Sequence, residues 1–242
     1  NIVGKYGPQV KALLKKLDGC DLDFIFSLHG PIWRKNTRWF IDLYHRWAAC
    51  IPEEQGVLIV YGTIYGHTQN AAEALASRLA DRGARVALYD ASVTDVGDLV
   101  AESWRYSHIV IACSTYNAGI FPQVENYLLD LKAHAFHNRT VAVLENGTWA
   151  PFAGNLIRKL LGEMKNMTLV EPFINVRSAL RPEQASELDA LAEAIWPAKQ
   201  AVTAAASQAV ATQPETPAVD NNALFKVSYG LFVLSAKDGD KD

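Results

Sequence analysis

GVLIVYGTIYGHTQNAAEALASRLA, from Gly56 to Ala80, reads in one run as strand, turn and helix. Val57, Leu58, Ile59, Val60 and Tyr61 form a short, unbroken apolar stretch, the pattern of a parallel strand covered on both faces. Gly62 ends it. Ala71, Ala72, Ala74, Leu75, Leu79 and Ala80 then take up helical spacing. Between them, Thr63, Ile64, Tyr65, Gly66, His67 and Thr68 supply two threonine hydroxyls and a permissive glycine at the start of a helix. Such a start carries unpaired N–H groups and partial positive charge, so it can hold a phosphate dianion without a lysine. The lysine and Ser/Thr of a nucleoside-triphosphate loop are missing, as are the three spaced glycines of a dinucleotide loop. A single terminal phosphate is the better match. A hydroxyl-rich turn that merely caps a helix is the bland alternative.

Downstream the chain alternates strands and helices, which predicts an α/β fold with a doubly wound five-stranded parallel sheet. Strands are expected at Val86–Tyr89, His108–Cys113, Thr140–Leu144 and Phe173–Val176. Helices are expected around Val96–Val100, Val124–Lys132, Asn155–Lys165 and Pro182–Trp196. Upstream, Val10, Leu13, Leu14 and Leu17 have amphipathic helical spacing that Asp18-Gly19 stops. Asp21 to Leu28 reads as a strand, and Asn36 to Ala49 as a helix with an aromatic face. Residues 198–222, rich in Ala, Gln, Thr and Pro without apolar periodicity, read as a flexible linker. An apolar segment from Ala223 to Ala236 follows it.

With 242 residues, half of them hydrophobic, the chain can bury one sizeable core and carries extra material. A net charge of −3 and the lack of a basic run argue against nucleic acid. No apolar run of membrane-spanning length is present, so no membrane partner is expected. Cys20, Cys50 and Cys113 are odd in number and lie in or beside apolar segments, which predicts reduced, buried thiols and a cytoplasmic setting. The lack of an initiating methionine points to a piece of a longer protein.

Two further loops fall at the carboxyl ends of the predicted strands, where open α/β sheets bind ligands. One is Ser114-Thr115-Tyr116-Asn117-Ala118-Gly119-Ile120-Phe121-Pro122, and the other Glu145-Asn146-Gly147-Thr148-Trp149-Ala150-Pro151. Each combines small residues with a large aromatic. A flavin ring requires a flat apolar slot, aromatic faces and closely approaching backbone amides. Tyr116 and Trp149 are the stacking candidates, and Asn117, Ala118 and Gly119 the contacts at the ring's polar edge. Taken singly, such aromatics are more often core-edge residues.

TIYGHT, STYNAGIFP and ENGTWAP together resemble the phosphate loop and two ring loops of the flavodoxin-like domain of flavodiiron proteins. Many of these proteins carry Ser-Tyr-Gly-Trp where this chain has Asn146-Gly147-Thr148-Trp149. SLHGPIWR, containing His29, resembles the end of the metallo-β-lactamase-like domain that precedes it in that family. The resemblance implies a flavodoxin-like sheet of order 2-1-3-4-5 over residues 54–197, preceded by a lactamase-like remnant over residues 1–50. It implies FMN, with phosphate at Thr63, Ile64, Tyr65, Gly66, His67 and Thr68. The isoalloxazine would lie between Thr115, Tyr116, Asn117, Ala118 and Gly119 on one side and Asn146, Gly147, Thr148 and Trp149 on the other. His29 would be a metal ligand only in an intact parent, because the family's His-x-Glu-x-Asp-His cluster is absent here. Residues 223–242 resemble the opening of a flavin-reductase-like domain.

The function implied is electron relay by FMN to a di-iron site that reduces dioxygen or nitric oxide. The donor would be a rubredoxin or a flavin/NAD(P)H reductase domain, and the parent a homo-oligomer. A stand-alone flavodoxin-like carrier and an NAD(P)H:quinone reductase on the same fold are the alternatives.

Overall fold

A computed structural model of the chain describes residues 3–27 and 30–197 and the backbone of residues 231–232. The elements in chain order are α1 (Gly7–Lys16), β1 (Phe26–Ser27), α2 (Thr37–Ala48), β2 (Glu54–Gly62), α3 (His67–Asp81), β3 (Val86–Asp90), α4 (Val96–Arg105), β4 (Tyr106–Tyr116), β5 (Gly119–Ile120), α5 (Pro122–Ala133), β6 (Arg139–Asn146), α6 (Ala153–Gly162), β7 (Met167–Leu169), β8 (Ile174–Val176), α7 (Ala185–Ile195) and β9 (Leu231–Phe232).

The main sheet has the order β3-β2-β4-β6, with β7 and β8 following one another along the far side of β6. Its long strands are parallel: Val57 pairs with Val86 and His108, and Ile109 with Val141. This is the flavodoxin-like order 2-1-3-4-5, its fifth position filled by two short strands. Alternation along β2 explains the unbroken apolar run. Val57, Ile59 and Tyr61 pack with Ala72, Leu75 and Leu79 of α3 and Leu188 and Leu191 of α7. Leu58 and Val60 face the other layer, with Leu99 of α4, Val124 and Leu128 of α5, and Ile157 of α6. Both faces are dry, so a period-2 polar alternation would be costly there.

The amino-terminal segment has a small core of its own, Leu14, Ile25, Phe40 and Ile41, bordered by Val10, Leu17, Leu22, Trp33 and Tyr44. Leu13 does not join it and remains exposed. The strand expected from Asp21 to Leu28 shrinks to Phe26–Ser27, preceded by a single bridge from Ile25 to Trp33. Leu28 and His29 lie outside the described residues, and so does the linker reading of 198–222. Of the segment 223–242, only the backbone of Leu231–Phe232 is described, pairing antiparallel with Phe26–Ser27.

Three further differences have local causes. The fifth strand is interrupted before Phe173, where Pro172 has no N–H to give the ladder. β4 runs on through Tyr116 and folds back as a hairpin with β5, so the second loop is partly strand. Cys50 and Cys113 are buried free thiols as expected, but Cys20 is exposed, because the turn at Gly19 carries it off the end of α1.

Candidate functional site

Strand register brings the three loops to one edge. Gly62 pairs with Cys113, and Ser114 with Asn146, so the chain leaves β2, β4 and β6 at nearly the same height. Side-chain hydrogen bonds then tie the loops together. Thr68 Oγ1 and Ser114 Oγ lie 2.7 Å apart, both buried, which fastens the first turn of α3 to the end of β4. Thr115 Oγ1 accepts from the backbone N–H of Phe152 (3.1 Å) and Ala153 (3.2 Å), which fastens β4 to the start of α6.

In the first loop, Gly66 is the N-cap of α3 at φ +84°, where a glycine carries no steric cost. Open space surrounds the position of its absent Cβ. No side chain caps α3. Asn70 N–H begins the helical ladder on Gly66 O, and among the described residues nothing in the chain accepts from His67, Thr68 or Gln69 N–H. Thr63 Oγ1 accepts from Gly66 N–H at 3.0 Å, which leaves its own proton to donate outward. Thr68 instead spends its hydroxyl inside the fold and offers only its backbone N–H. Ile64 and Tyr65 are exposed, Tyr65 to 86%.

The start of α6 contrasts with this. Phe152 and Ala153 N–H are taken by Thr115, and Gly154 N–H donates to Glu145 Oε2 at 2.7 Å. Of these two helix starts, α3 keeps its donors free for an outside anion and α6 does not.

The second loop is a two-residue hairpin turn whose central residues, Asn117 and Ala118, have φ of +46° and +56°. That is the mirror-image turn that matches strand twist. It holds Tyr116 half exposed, edge-on to Phe121 at 6.4 Å between ring centroids. Gly119 starts the return strand.

In the third loop, Asn146 is buried. Its Nδ2 donates to Ser178 O (2.8 Å), and its Oδ1 accepts from Ser178 N–H (3.1 Å). Its side chain is therefore a brace for the loop rather than a group presented at the surface. Gly147 N–H donates to Val176 O, and a Cβ on Gly147 would stand 2.9 Å from Pro151 Cα, so the loop closes on itself only with glycine there. Thr148 is exposed, and Trp149 is 97% exposed.

Trp149, Tyr116, Tyr65 and Ile64 thus stand in solvent along one sheet edge, beside an uncapped helix start. Apolar area of this kind, rimmed by polar backbone, is not a requirement of the fold and makes this edge the candidate binding site. The donor set fits a phosphate joined to a flat aromatic heterocycle. The thiol at this edge is not an activated nucleophile: burial pushes Cys113 up to about 12.

Ser114, Glu145, Gly154 and Asn175 are not marked as site residues by the sequence, although they brace this edge. A signal exists for one of them: a carboxylate continuing the apolar run of β6 has to be buried and partnered. Among the described residues no group of three or more His, Cys, Asp or Glu could hold a metal ion, and His29 lies outside those residues. No helix among them is long and apolar enough to cross a membrane.

Comparison with known proteins places this fold. The sequence model described as Flavodoxin matches residues 59–180. The anaerobic nitric oxide reductase flavorubredoxin of Escherichia coli is 24% identical over 188 residues, covering 76% of this chain and 38% of that protein. The rubredoxin oxygen:oxidoreductase of Desulfovibrio gigas superposes with a TM-score of 0.70 at 23% identity, covering 79% of this chain and 48% of its own. The flavodiiron protein of Giardia intestinalis superposes with a TM-score of 0.65 at 17% identity, covering 79% and 49%. The chain spans about half or less of each relative's length.

Proposed function

The chain belongs to the flavodoxin family, and on that premise we propose that its sheet edge binds FMN and relays electrons as the flavin module of a flavodiiron-type oxidoreductase. The observation that carries this reading is the uncapped start of α3, standing beside two loops that leave Tyr116 and Trp149 in solvent. The phosphate is assigned to the N–H groups of Ile64, Tyr65, His67 and Thr68 and to the Thr63 hydroxyl, with Gly66 giving the turn its shape and its own N–H to Thr63 Oγ1. The ring is assigned to Tyr116 and Trp149, with Thr115, Asn117, Ala118 and Gly119 and the backbone of Asn146, Gly147 and Thr148 at its polar rim. Bound there, FMN supplies transfer of one or two electrons, and the protein supplies a shaped, partly dry slot that sets its potential.

The relatives' names, a nitric oxide reductase and a rubredoxin:oxygen oxidoreductase, support a reductase as the context. In it, electrons enter from a rubredoxin-like or flavin/NAD(P)H reductase donor and leave to a di-iron site in a longer, oligomeric parent protein of the cytoplasm. In that reading residues 1–50 are the end of the domain that holds the iron, with His29 one of its ligands, and residues 223–242 begin a further domain.

The test is direct. Purified protein is mixed with FMN, and binding is followed by quenching of flavin fluorescence and by flavin and iron analysis. Equimolar, tightly held FMN without iron, reducible by a low-potential donor, is expected. A protein that ignores FMN overturns the proposal. Rapid turnover of a quinone with NAD(P)H would reassign it to a quinone reductase.

A further inference from the structure

Glu145 is 2% exposed and stands near the end of strand β6, just before the third loop. Its two oxygens have different neighbours. Oε2 accepts Gly154 N–H at 2.7 Å from the first turn of α6, and Oε1 accepts Asn175 Nδ2 at 3.0 Å from β8. Space has been kept for this: a Cβ on Gly154 would stand 2.3 Å from Phe173 Cζ and 2.8 Å from Glu145 Oε2. No cation pairs with the carboxylate in any ion pair among the described residues. The groups facing it are Cys113 from β4, Asn175 from β8 and the N–H groups of α6. The Cys113 thiol is neutral, so the only formal charge among these groups is that of Glu145. Burial raises its proton affinity, while the Gly154 N–H opposes the shift.

Asn175 keeps the alternative open. Its Oδ1 is buried without a partner. Turning the amide over would present that oxygen to a protonated Glu145, so the amide does not commit the carboxyl to one charge state. A carboxylate held by one helix N–H and one reversible amide, with no counter-ion, can gain a proton without dismantling its surroundings.

We infer that Glu145 is a positioning residue of the flavin site, which anchors the third loop to α6 and takes up a proton when the flavin is reduced. The inference rests on the FMN reading above. An electron added at the sheet edge places a second negative charge near an unpaired one, which raises the affinity of Glu145 for a proton. The electron comes from an added one-electron donor such as reduced methyl viologen, the proton from solvent, and Glu145 passes from carboxylate to carboxylic acid. The site's net charge is then unchanged by the step.

The experiment is potentiometric titration of the FMN-loaded full chain across pH 5–8, for wild type and Glu145→Gln. The amide oxygen of the variant can still accept Gly154 N–H, and its NH2 can donate to Asn175 Oδ1 once that amide turns over. FMN affinity should therefore stay within about threefold of wild type. Where Glu145 is ionised, removing its charge should favour reduction by about tenfold, the size of a one-unit pKa coupling, which is about 59 mV for a one-electron step. The wild-type potential should fall with pH more steeply than that of the variant over the window in which Glu145 titrates. Equal slopes and equal potentials overturn the inference while leaving FMN binding intact. A wild-type chain that takes no FMN overturns it together with the reading beneath it.

A measurement on wild type alone removes dependence on the variant's folding. Carboxyl-13C NMR should show the Glu145 titration moving to higher pH between oxidised and reduced FMN-loaded protein. An immobile titration overturns the inference.

Discussion

Thr63 and Thr68 are alike in sequence and opposite in use. Thr68 Oγ1 is buried against Ser114 at 2.7 Å, whereas Thr63 Oγ1 accepts Gly66 N–H and keeps its proton for an outside acceptor. Replacing Thr63 with alanine should therefore weaken FMN binding by about 1.5–3 kcal/mol, the range for a hydrogen bond to a charged group, which fluorescence quenching would measure. The unfolding midpoint of the FMN-free protein should barely move. Ala118 makes a different point at the same scale. At φ +56° it sits where a β-carbon crowds the following carbonyl oxygen. Ala118→Gly should relieve about 1–2 kcal/mol of strain and forfeit part of that to chain entropy. The expected net gain is about 0.5–1 kcal/mol, read from urea unfolding of the FMN-free protein. Sequence alone could name Thr63, Thr68 and Ala118 as candidate site residues, because hydroxyls and small side chains gathered just after an apolar strand add little to a core and suit a close approach to a ligand. Which hydroxyl turns inward depended on the partner, Ser114, forty-six positions away.

At the scale of elements, the long strands and helices were legible because each buries one or both faces, and the spacing of apolar residues records it. Less legible were the devices that depend on backbone geometry or on distant partners. The hairpin of β4 and β5 hides in Asn117-Ala118, where the usual Asn-Gly signal lacks its glycine. Arg139, at the first position of β6 and one residue before the strand expected from Thr140, is only 2% exposed. Its guanidinium donates to the carbonyls of Cys50 (2.6 Å), Tyr106 (2.9 Å), Asn138 (3.0 Å) and Trp104 (3.1 Å), and lies over the Phe136 ring. Among the described residues no carboxylate pairs with it: the fork is matched to carbonyls left open where α2, α4 and β6 meet the amino end of the sheet. Arg139→Met should cost about 3 kcal/mol or more in urea unfolding, since two or three buried carbonyls lose their donors at about 1–3 kcal/mol each. Arg139→Lys should recover only part of this, because one ammonium cannot span the fork.

At the scale of the molecule, the chain has a large two-layered core around the sheet and a separate small one around Leu14, Ile25, Phe40 and Ile41. The hydrogen bonds and close approaches that join them lie at the sheet's amino end. Trp104 Nε1 donates to Trp47 O at 3.2 Å, Arg139 reaches Cys50 O, and a Cβ on Gly4 would stand only 2.6 Å from His134 O. The proposed flavin site is at the opposite end of the same strands. A chain beginning at Cys50 keeps the Arg139 acceptor and both sheet layers, and loses the cover over Trp104 and its neighbours together with the bonds of Trp47 to Glu53, Arg46 to Pro52 and Asn138 to Ala49. It should therefore still unfold cooperatively in urea, with stability lowered by about 1–3 kcal/mol, the scale of uncovering one large apolar side chain. FMN affinity should stay within about threefold, because no residue assigned to the phosphate or the ring precedes Thr63. A loss of FMN affinity greater than about tenfold, in a shortened chain that still unfolds cooperatively, would mean that the amino-terminal segment shapes the site across the length of the sheet. The loops' own hydrogen bonds, Thr68 to Ser114 and Thr115 to the start of α6, would then not be enough to hold them.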